Sequence, residues 1–167
     1  TELGDIDVRQ GRLVFARAGT TLGDATKEVI VRPNATLALA ATNQMNQSGP
    51  PGASGIAAGV KTLTLQNGAT LESIGFPVNA TTVNSFDGPV SITNTATLKL
   101  GGNSQLILNG PISGNGRLIL TNNGTLALWG TNSYTSNTVV SSGTLVLANS
   151  QAVPTNSTLF VSNSVST

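Results

Sequence analysis

Short apolar segments alternate with turn residues along the chain, and within them hydrophobic and polar side chains either alternate with a period of two or form a short apolar run. Lys61-Thr62-Leu63-Thr64-Leu65 and Gln105-Leu106-Ile107-Leu108 are examples, each followed closely by an Asn-Gly pair. A period of two places successive side chains on opposite faces of a β-strand, whereas an amphipathic helix needs a period of about 3.6. Because no segment shows a convincing helical period, the sequence predicts an all-β protein.

A phrase of the form Thr-Leu-x-Leu, introduced by a turn residue, recurs through the chain. Full or partial copies occupy positions 34–39, 68–71, 95–100, 123–128, 142–147 and 156–159. A second phrase, Asp87-Gly88-Pro89-Val90, returns 22 positions later as Asn109-Gly110-Pro111-Ile112. Repeats of about 20 to 50 residues are typical of solenoid proteins. Equivalent strands of neighbouring repeats then stack about 4.8 Å apart.

These repeats predict that residues 1–167 form a single domain, a right-handed single-stranded parallel β-helix (β-solenoid) of about seven coils. An antiparallel sandwich is the alternative, because it too consists of short strands joined by turns. Recurrence of one phrase favours the solenoid, since it lets Leu stack on Leu in neighbouring coils. Stacking also accounts for the many Asn and Thr residues, because Asn tolerates a left-handed backbone at turns and β-branched Thr favours strands.

Composition and charge exclude several classes of protein. The chain has no Cys and no His, which excludes disulfide scaffolds, Cys/His zinc sites and thiol or imidazole nucleophiles. Charged residues make up 9% of the chain and the net charge is +1, so there is no basic surface for nucleic acid. No segment approaches the roughly 20 apolar residues of a membrane span. A surface solvated by Asn, Thr and Ser favours an extracellular location, and we expect a domain excised from a longer secreted protein.

Residues 113–149 carry the most specific pattern in the chain. It consists of Gly114-x-Gly116, Gly124-Thr125-Leu126-x-Leu128, Gly130-x-Asn132-x-Tyr134-Thr135, Thr138-x-Val140 and Gly143-Thr144-Leu145-x-Leu147. This order resembles the autotransporter-associated β-strand repeat, which is found in bacterial secreted proteins with parallel β-helix passengers. Two positions depart from the family pattern. Trp129 stands where a small polar residue is usual, and Ser136-Asn137 replaces a glycine pair.

The resemblance implies a parallel β-helix but does not fix the function. The family includes autotransporter passengers and modules of polysaccharide-degrading enzymes, and short parallel β-helices also serve as carbohydrate-binding modules, including xylan-binding ones. The chain is similar to such a module. We therefore expect a bacterial, secreted or cell-surface module, linked to a glycoside hydrolase, that binds a plant cell-wall β-glycan such as xylan. The alternative is a structural passenger segment or adhesin stalk.

Sugar-binding sites usually combine flat aromatic faces with amides or carboxylates, because a pyranose has apolar C–H faces and a polar edge. The sole tryptophan, Trp129, follows a leucine pair and precedes Gly130, so we expect it at a corner outside the core. The other candidates are Tyr134 in the repeat pattern, the group Glu72, Phe76, Phe86 and Asp87, and Gln44 and Asn46 in the Gln- and Asn-rich stretch 42–59. For each of these residues, packing or surface solvation is the alternative interpretation.

The carboxylates offer little for catalysis or metal binding. Glycoside hydrolysis needs two carboxyl groups about 5 to 10 Å apart across the scissile bond. Beyond position 32 the chain has only Glu72 and Asp87. Calcium needs several oxygen ligands, and Asp5, Asp7 and Asp24 are the one candidate group, with a solvated N-terminal coil as the alternative. The sequence therefore predicts a protein that is not an enzyme and has no cofactor.

Overall fold

A computed structural model of the chain describes residues 4–16, 27–41, 61–75 and 81–162. These ranges contain short strands and no helix, so they hold no helix that could cross a membrane. The strands are β1 (Ile6–Val8), β2 (Arg12–Phe15), β3 (Glu28–Val31), β4 (Thr36–Leu39), β5 (Thr62–Leu65), β6 (Ala69–Ser73), β7 (Thr82–Phe86), β8 (Val90–Ile92), β9 (Thr95–Leu100), β10 (Ser104–Leu108), β11 (Ile112–Gly114), β12 (Arg117–Thr121), β13 (Thr125–Leu128), β14 (Thr138–Val140), β15 (Thr144–Leu147) and β16 (Leu159–Val161).

The strands form three sheets. Sheet A has the order β1-β3-β5-β8-β11, sheet B the order β16-β14-β12-β9-β6-β4-β2, and sheet C the order β15-β13-β10-β7. From β5 to β13, successive strands enter sheets A, B and C in turn, three times over. Every pairing between the described strands is parallel, which excludes the antiparallel sandwich for this part of the chain. The prediction of an all-β protein with parallel strands is confirmed at this level.

Five of the six Thr-Leu-x-Leu phrases pair in register with another copy, three of them in sheet B and two in sheet C. In sheet B, Leu71 pairs with Leu37 on one side and with Leu98 on the other. All three leucines have no exposed surface, and they belong to one hydrophobic core to which sheets A, B and C all contribute. Burial of each such side chain contributes about 1.5–3 kcal/mol. The core therefore consists of ladders of like aliphatic side chains that run from strand to strand.

Asparagine and glycine adopt the left-handed backbone conformation at the turns near the ends of these strands. Within the described ranges, the non-glycine residues with positive φ are Asn34, Asn94 and Asn122, at 60°, 58° and 67°. Asn34 lies two positions before β4, and Asn94 lies directly before β9. Asn adopts this conformation more readily than other non-glycine residues because its short amide bonds locally. The expected role of Asn as a turn residue is thus confirmed at these positions.

Candidate carbohydrate-binding surface

Trp129 lies directly after β13 with 57% of its surface exposed. Leu126 and Leu128 are fully buried, so the alternation of the strand turns the next side chain outward. The Trp129 N–H still donates to the Leu108 carbonyl at 2.9 Å, which holds its backbone in the ladder of sheet C. The expectation of a corner position outside the core is confirmed.

Two polar residues line up with Trp129 on neighbouring strands. Asp87 follows β7, Asn109 follows β10, and the Asn109 N–H donates to the Phe86 carbonyl at 2.9 Å. The Asn109 side-chain amide donates to the Asp87 carboxylate. With strands about 4.8 Å apart, Asp87 and Trp129 are separated by about two strand spacings. We call Asp87, Asn109 and Trp129 the corner row.

A stack of glycines fixes the backbone behind the corner row. Gly88, Gly110 and Gly130 each follow one of its members and are buried. A Cβ atom on Gly110 would lie 2.0 Å from the Gly88 carbonyl oxygen, and one on Gly130 would lie 2.1 Å from the Gly110 carbonyl oxygen. Only glycine permits this approach of backbone to backbone. The corner row is therefore attached to a tightly packed turn.

A trough of about 230 Å³ begins two residues beyond Trp129. Its polar lining includes Thr131, Ser133, Thr135, Gln151, Thr155 and Asn156, all of which are exposed. We call this group the polar trough. One wall is the extended segment 131–135, whose Ser133 N–H donates to the Ile112 carbonyl at 2.8 Å beside β11. The other wall belongs to residues 149–157, which form turns instead of a further strand of sheet A and so leave the trough open.

Buried side chains anchor both walls of the trough. The Asn132 side chain accepts from the Ile112 N–H and donates to the Ala152 carbonyl, both at 2.7 Å. The Asn132 side chain thereby replaces hydrogen bonds that the backbone of a neighbouring strand would otherwise make to Ile112 and Ala152. The Asn149 amide donates to the carbonyls of Trp129 and Gly130, which ties residues 149–157 to the corner. The walls are thus set by hydrogen bonds that are already formed without a ligand.

The structure corrects two of the candidate sugar contacts. Phe86 has no exposed surface and pairs in register with Leu108 in the core, so it does not line a groove. Tyr134 is 1% exposed, and its hydroxyl shares a hydrogen bond with the Thr138 hydroxyl. Burial raises the pKa of Tyr134. The hydrogen bond to Thr138 lowers this pKa by a smaller amount, so the net direction is upward. Neither ring has a face that a polysaccharide could reach.

Glu72 is separated from Asp87 and bound by two cations. It lies in β6 of sheet B, and its carboxylate contacts Arg12 Nη2 at 2.8 Å and Lys99 Nζ at 2.9 Å. Partial burial raises the pKa of Glu72, but hydrogen bonds from Lys99 and Arg12 outweigh this and leave the pKa lowered. A pocket of about 330 Å³ beside Glu72 and Lys99 is lined by this ion pair, so its chemistry is charged, unlike that of the polar trough.

The acidic residues near the start of the chain are also engaged. Asp7 pairs with Arg32 and Arg9, and the hydrogen bonds from these two residues lower the pKa of Asp7 to about 2. The Asp5 carboxylate accepts from the Glu28 N–H at 3.0 Å. Among the described residues, no three His, Cys, Asp or Glu side chains are grouped to hold a metal ion. Asp24, Gln44, Asn46 and Phe76 lie outside the described ranges.

Reasoning from the sequence missed Asn109 and the polar trough. A signal for Asn109 was present, because Asp87-Gly88-Pro89, Asn109-Gly110-Pro111 and Trp129-Gly130-Thr131 are three copies of one corner. The trough had no comparable signal, since it depends on where the strands of sheet A stop. No protein-family model, curated protein or solved structure matches the chain. The resemblance of residues 113–149 to the autotransporter-associated repeat therefore stays a prediction.

Proposed function

We propose that the three sheets close into a right-handed single-stranded parallel β-helix of seven coils, of the autotransporter-associated type. Sheet B contains seven strands, one for each proposed coil. The strands from β5 to β13 pass through sheets A, B and C in a constant order, which is what a chain winding around one axis requires. A single core shared by all three sheets is the packing expected inside such a coil.

We propose further that the protein is a non-catalytic module that binds a plant cell-wall β-glycan such as xylan. The corner row carries this proposal. It combines an exposed indole with an amide and a carboxylate, in line and on a packed glycine turn. The indole face suits the C–H face of a pyranose, and the polar neighbours suit its hydroxyls. As a module of this kind, the domain would belong to a secreted or cell-surface bacterial enzyme and act beside a linked glycoside hydrolase.

The state of the carboxylates favours binding without cleavage. Glu72 is held by two cations on sheet B, and Asp87 accepts a hydrogen bond from Asn109 at the end of a strand in sheet C. A glycosidase needs an acid and a base or nucleophile that face each other across one bond. These two residues lie in different sheets and have other partners, so they do not fit that arrangement.

Trp129→Ala tests the proposal directly. Because Trp129 is the sole tryptophan, a change in intrinsic fluorescence on adding a glycan reports on the corner row alone. We expect the wild-type protein to be retarded in affinity gels containing xylan or another β-glycan. The variant should lose roughly tenfold in affinity, the effect of removing one stacking ring. Its melting temperature should change little, because the ring is mostly exposed.

Phe160→Ala is the matched control, since Phe160 is an aromatic residue that is 50% exposed away from the corner row. It should bind glycans as the wild type does. Absence of retardation across xylan, mixed-linkage glucan, mannan and pectin would contradict the proposed function. A large loss of melting temperature in Trp129→Ala would instead make Trp129 a structural residue.

A structural stalk is the second candidate function, and the edge strands favour it. β15 and β16 are the last strands of sheets C and B, and Leu147, Leu159 and Val161 on them are 45%, 37% and 69% exposed. Open edges with apolar side chains are surfaces for further β-pairing. A stalk should form oligomers in sedimentation experiments as the concentration rises, whereas a binding module need not.

A further inference from the structure

We infer that the polar trough is a subsite for one neutral sugar ring of the same glycan whose neighbouring ring stacks on Trp129. The glycan then crosses the strands, from the corner into the trough, instead of following the corner row from strand to strand. This inference rests on the proposed glycan-binding function and specifies the path of the ligand.

The lining of the trough has the chemistry of a site for a neutral, hydroxyl-rich ligand. On the wall of residues 131–135, Thr131, Ser133 and Thr135 are exposed, while Asn132 and Tyr134 between them are buried. Three hydroxyl groups therefore follow one another along the outer face of an extended segment. The opposite wall adds the side chains of Gln151, Thr155 and Asn156, and no residue that lines the trough is charged.

These six side chains are free to meet a ligand. Within the described ranges, none of them takes part in a side-chain hydrogen bond or ion pair, in contrast to Asn132, Tyr134 and Asn149 beneath and beside them. Hydroxyls and amides both donate and accept hydrogen bonds, as sugar hydroxyls do. The trough thus offers donors and acceptors together, on walls that need no rearrangement.

The size and position of the trough set the length of ligand that it holds. Its volume of about 230 Å³ is below the roughly 300–1,000 Å³ of pockets for drug-sized ligands. It therefore suits one sugar ring more than an oligosaccharide. Thr131 is two residues beyond Trp129, and because the chain bends at Gly130 the two residues are at most about 6–7 Å apart along the backbone. That distance is comparable to the length of one pyranose, so adjacent rings reach the indole and the trough.

The alternative path along the corner row offers fewer free groups. The Asn109 amide already donates to the Asp87 carboxylate, so a sugar there must compete with an existing hydrogen bond. The trough requires no such exchange, and its walls are held by the Asn132 bridge before a ligand arrives. A site formed in advance loses less entropy on binding. The path into the trough is favoured for both reasons.

A double variant, Thr135→Val with Gln151→Ala, tests the inference. It removes one hydroxyl and one amide from opposite walls and leaves the backbone hydrogen bonds of both residues in place. Binding of xylohexaose, cellohexaose and mannohexaose is followed by Trp129 fluorescence. The matched control is Thr144→Val with Gln10→Ala, which changes two exposed residues outside the corner row and the polar trough. We expect the double variant to weaken binding about tenfold, the effect of two neutral hydrogen bonds, and the control to change it less than about twofold.

The outcomes separate this inference from the proposed function. If the hexasaccharides bind and the double variant binds as the wild type does, the inference is overturned and the proposed function stands. If the double variant binds as the wild type does and Asn109→Ala loses affinity, the glycan follows the corner row and the inference is overturned. Absence of binding by the wild type overturns both.

A second measurement needs no variant of the trough. In ¹⁵N NMR spectra of the wild-type protein, the amide signals of residues 131–135, 151–153, 155 and 156 should shift when a hexasaccharide that binds is added. Shifts confined to residues around Asp87 and Asn109 would overturn the inference.

Discussion

Tyr134 is a polar aromatic residue with a structural role in the interior of the fold. Its ring is buried, and its hydroxyl bonds to the Thr138 hydroxyl four residues later. Thr138 is itself 1% exposed and pairs with Leu118 in sheet B. The pair therefore fixes the passage from the trough wall to β14. Trp129, five positions earlier, is turned outward by the alternation of β13, and this difference in direction separates a core residue from a candidate ligand contact.

Tyr134→Phe should lower the free energy of unfolding by about 1–2 kcal/mol, because it leaves the buried Thr138 hydroxyl without its partner. Urea unfolding followed by far-UV circular dichroism measures the loss. The double variant Tyr134→Phe with Thr138→Val should recover part of it, since both polar groups are then replaced by apolar ones of similar shape. If the loss of unfolding free energy in the double variant equals the sum of the losses in Tyr134→Phe and Thr138→Val, a direct bond between these side chains is contradicted.

At the scale of elements, the turn behind the corner row is tightly constrained by contacts between backbones. Gly88, Gly110 and Gly130 occupy equivalent positions after β7, β10 and β13, and each lies against the carbonyl of a neighbouring strand or turn. A side chain at Gly110 or Gly130 would push apart the successive turns that follow the strands of sheet C, and one at Gly88 would collide with the Lys61 carbonyl before β5. The elements are thus joined by contacts between backbones as well as by the leucine ladders.

Gly110→Ala should destabilise the protein by about 1–3 kcal/mol, the usual cost of forcing an extra group into a packed site. Gly102→Ala is the control, because the nearest atom to a Cβ there is 3.8 Å away. Thermal unfolding monitored by calorimetry compares the two. Equal melting temperatures of the two variants would mean that the backbone of the turn shifts to accommodate the added methyl group. The turn would then not hold the corner row rigidly.

The strands themselves could largely be predicted from the sequence. The segment Gln105–Leu108 is within β10, and Lys61–Leu65 differs from β5 by one residue. These predictions succeed because alternation and turn residues are local signals. The wrong expectation for Phe86 has a different origin. Phe86 is a candidate sugar contact because it is an aromatic residue next to Asp87 in the sequence, but the direction of its ring depends on β7 pairing with β10, which is a contact between distant residues.

At the scale of the whole molecule, each strand mainly contacts the strands beside it in its own sheet. Stability is then close to a sum of contributions from neighbouring layers, as in other repeat proteins. Inner strands such as β9 have a partner on both sides, whereas β2 and β16 are the edge strands of sheet B. Opening should therefore begin at the edges.

Hydrogen exchange followed by mass spectrometry should give a graded pattern along sheet B. Amides of β9 and β12 should exchange slowest, and those of β2 and β16 fastest, because edge strands open without disturbing the inner layers. Uniform protection of all strands would contradict this and indicate a single cooperative unit.

Only part of the candidate site could be predicted from the sequence. Trp129 could be selected from the sequence because it departs from a repeating pattern. Its alignment with Asp87 has a signal in the recurring glycine after each residue, but that signal becomes specific only when β7, β10 and β13 are known to lie side by side in sheet C. The polar trough depends on residues 149–157 not adding a strand to sheet A. Both features follow from pairings between separate repeats, which a local pattern does not specify.

The glycine stack lets the side chains of the corner row differ while the backbone stays the same. The residue before each of the three glycines is variable within this one chain, being Asp, Asn or Trp, although the turn that follows has the same backbone constraint. The same backbone turn thus recurs at regular intervals and presents a different side chain each time. Exchanging Asp87 or Asn109 for another side chain should therefore change the chemistry of this surface and leave the backbone of the turn unchanged.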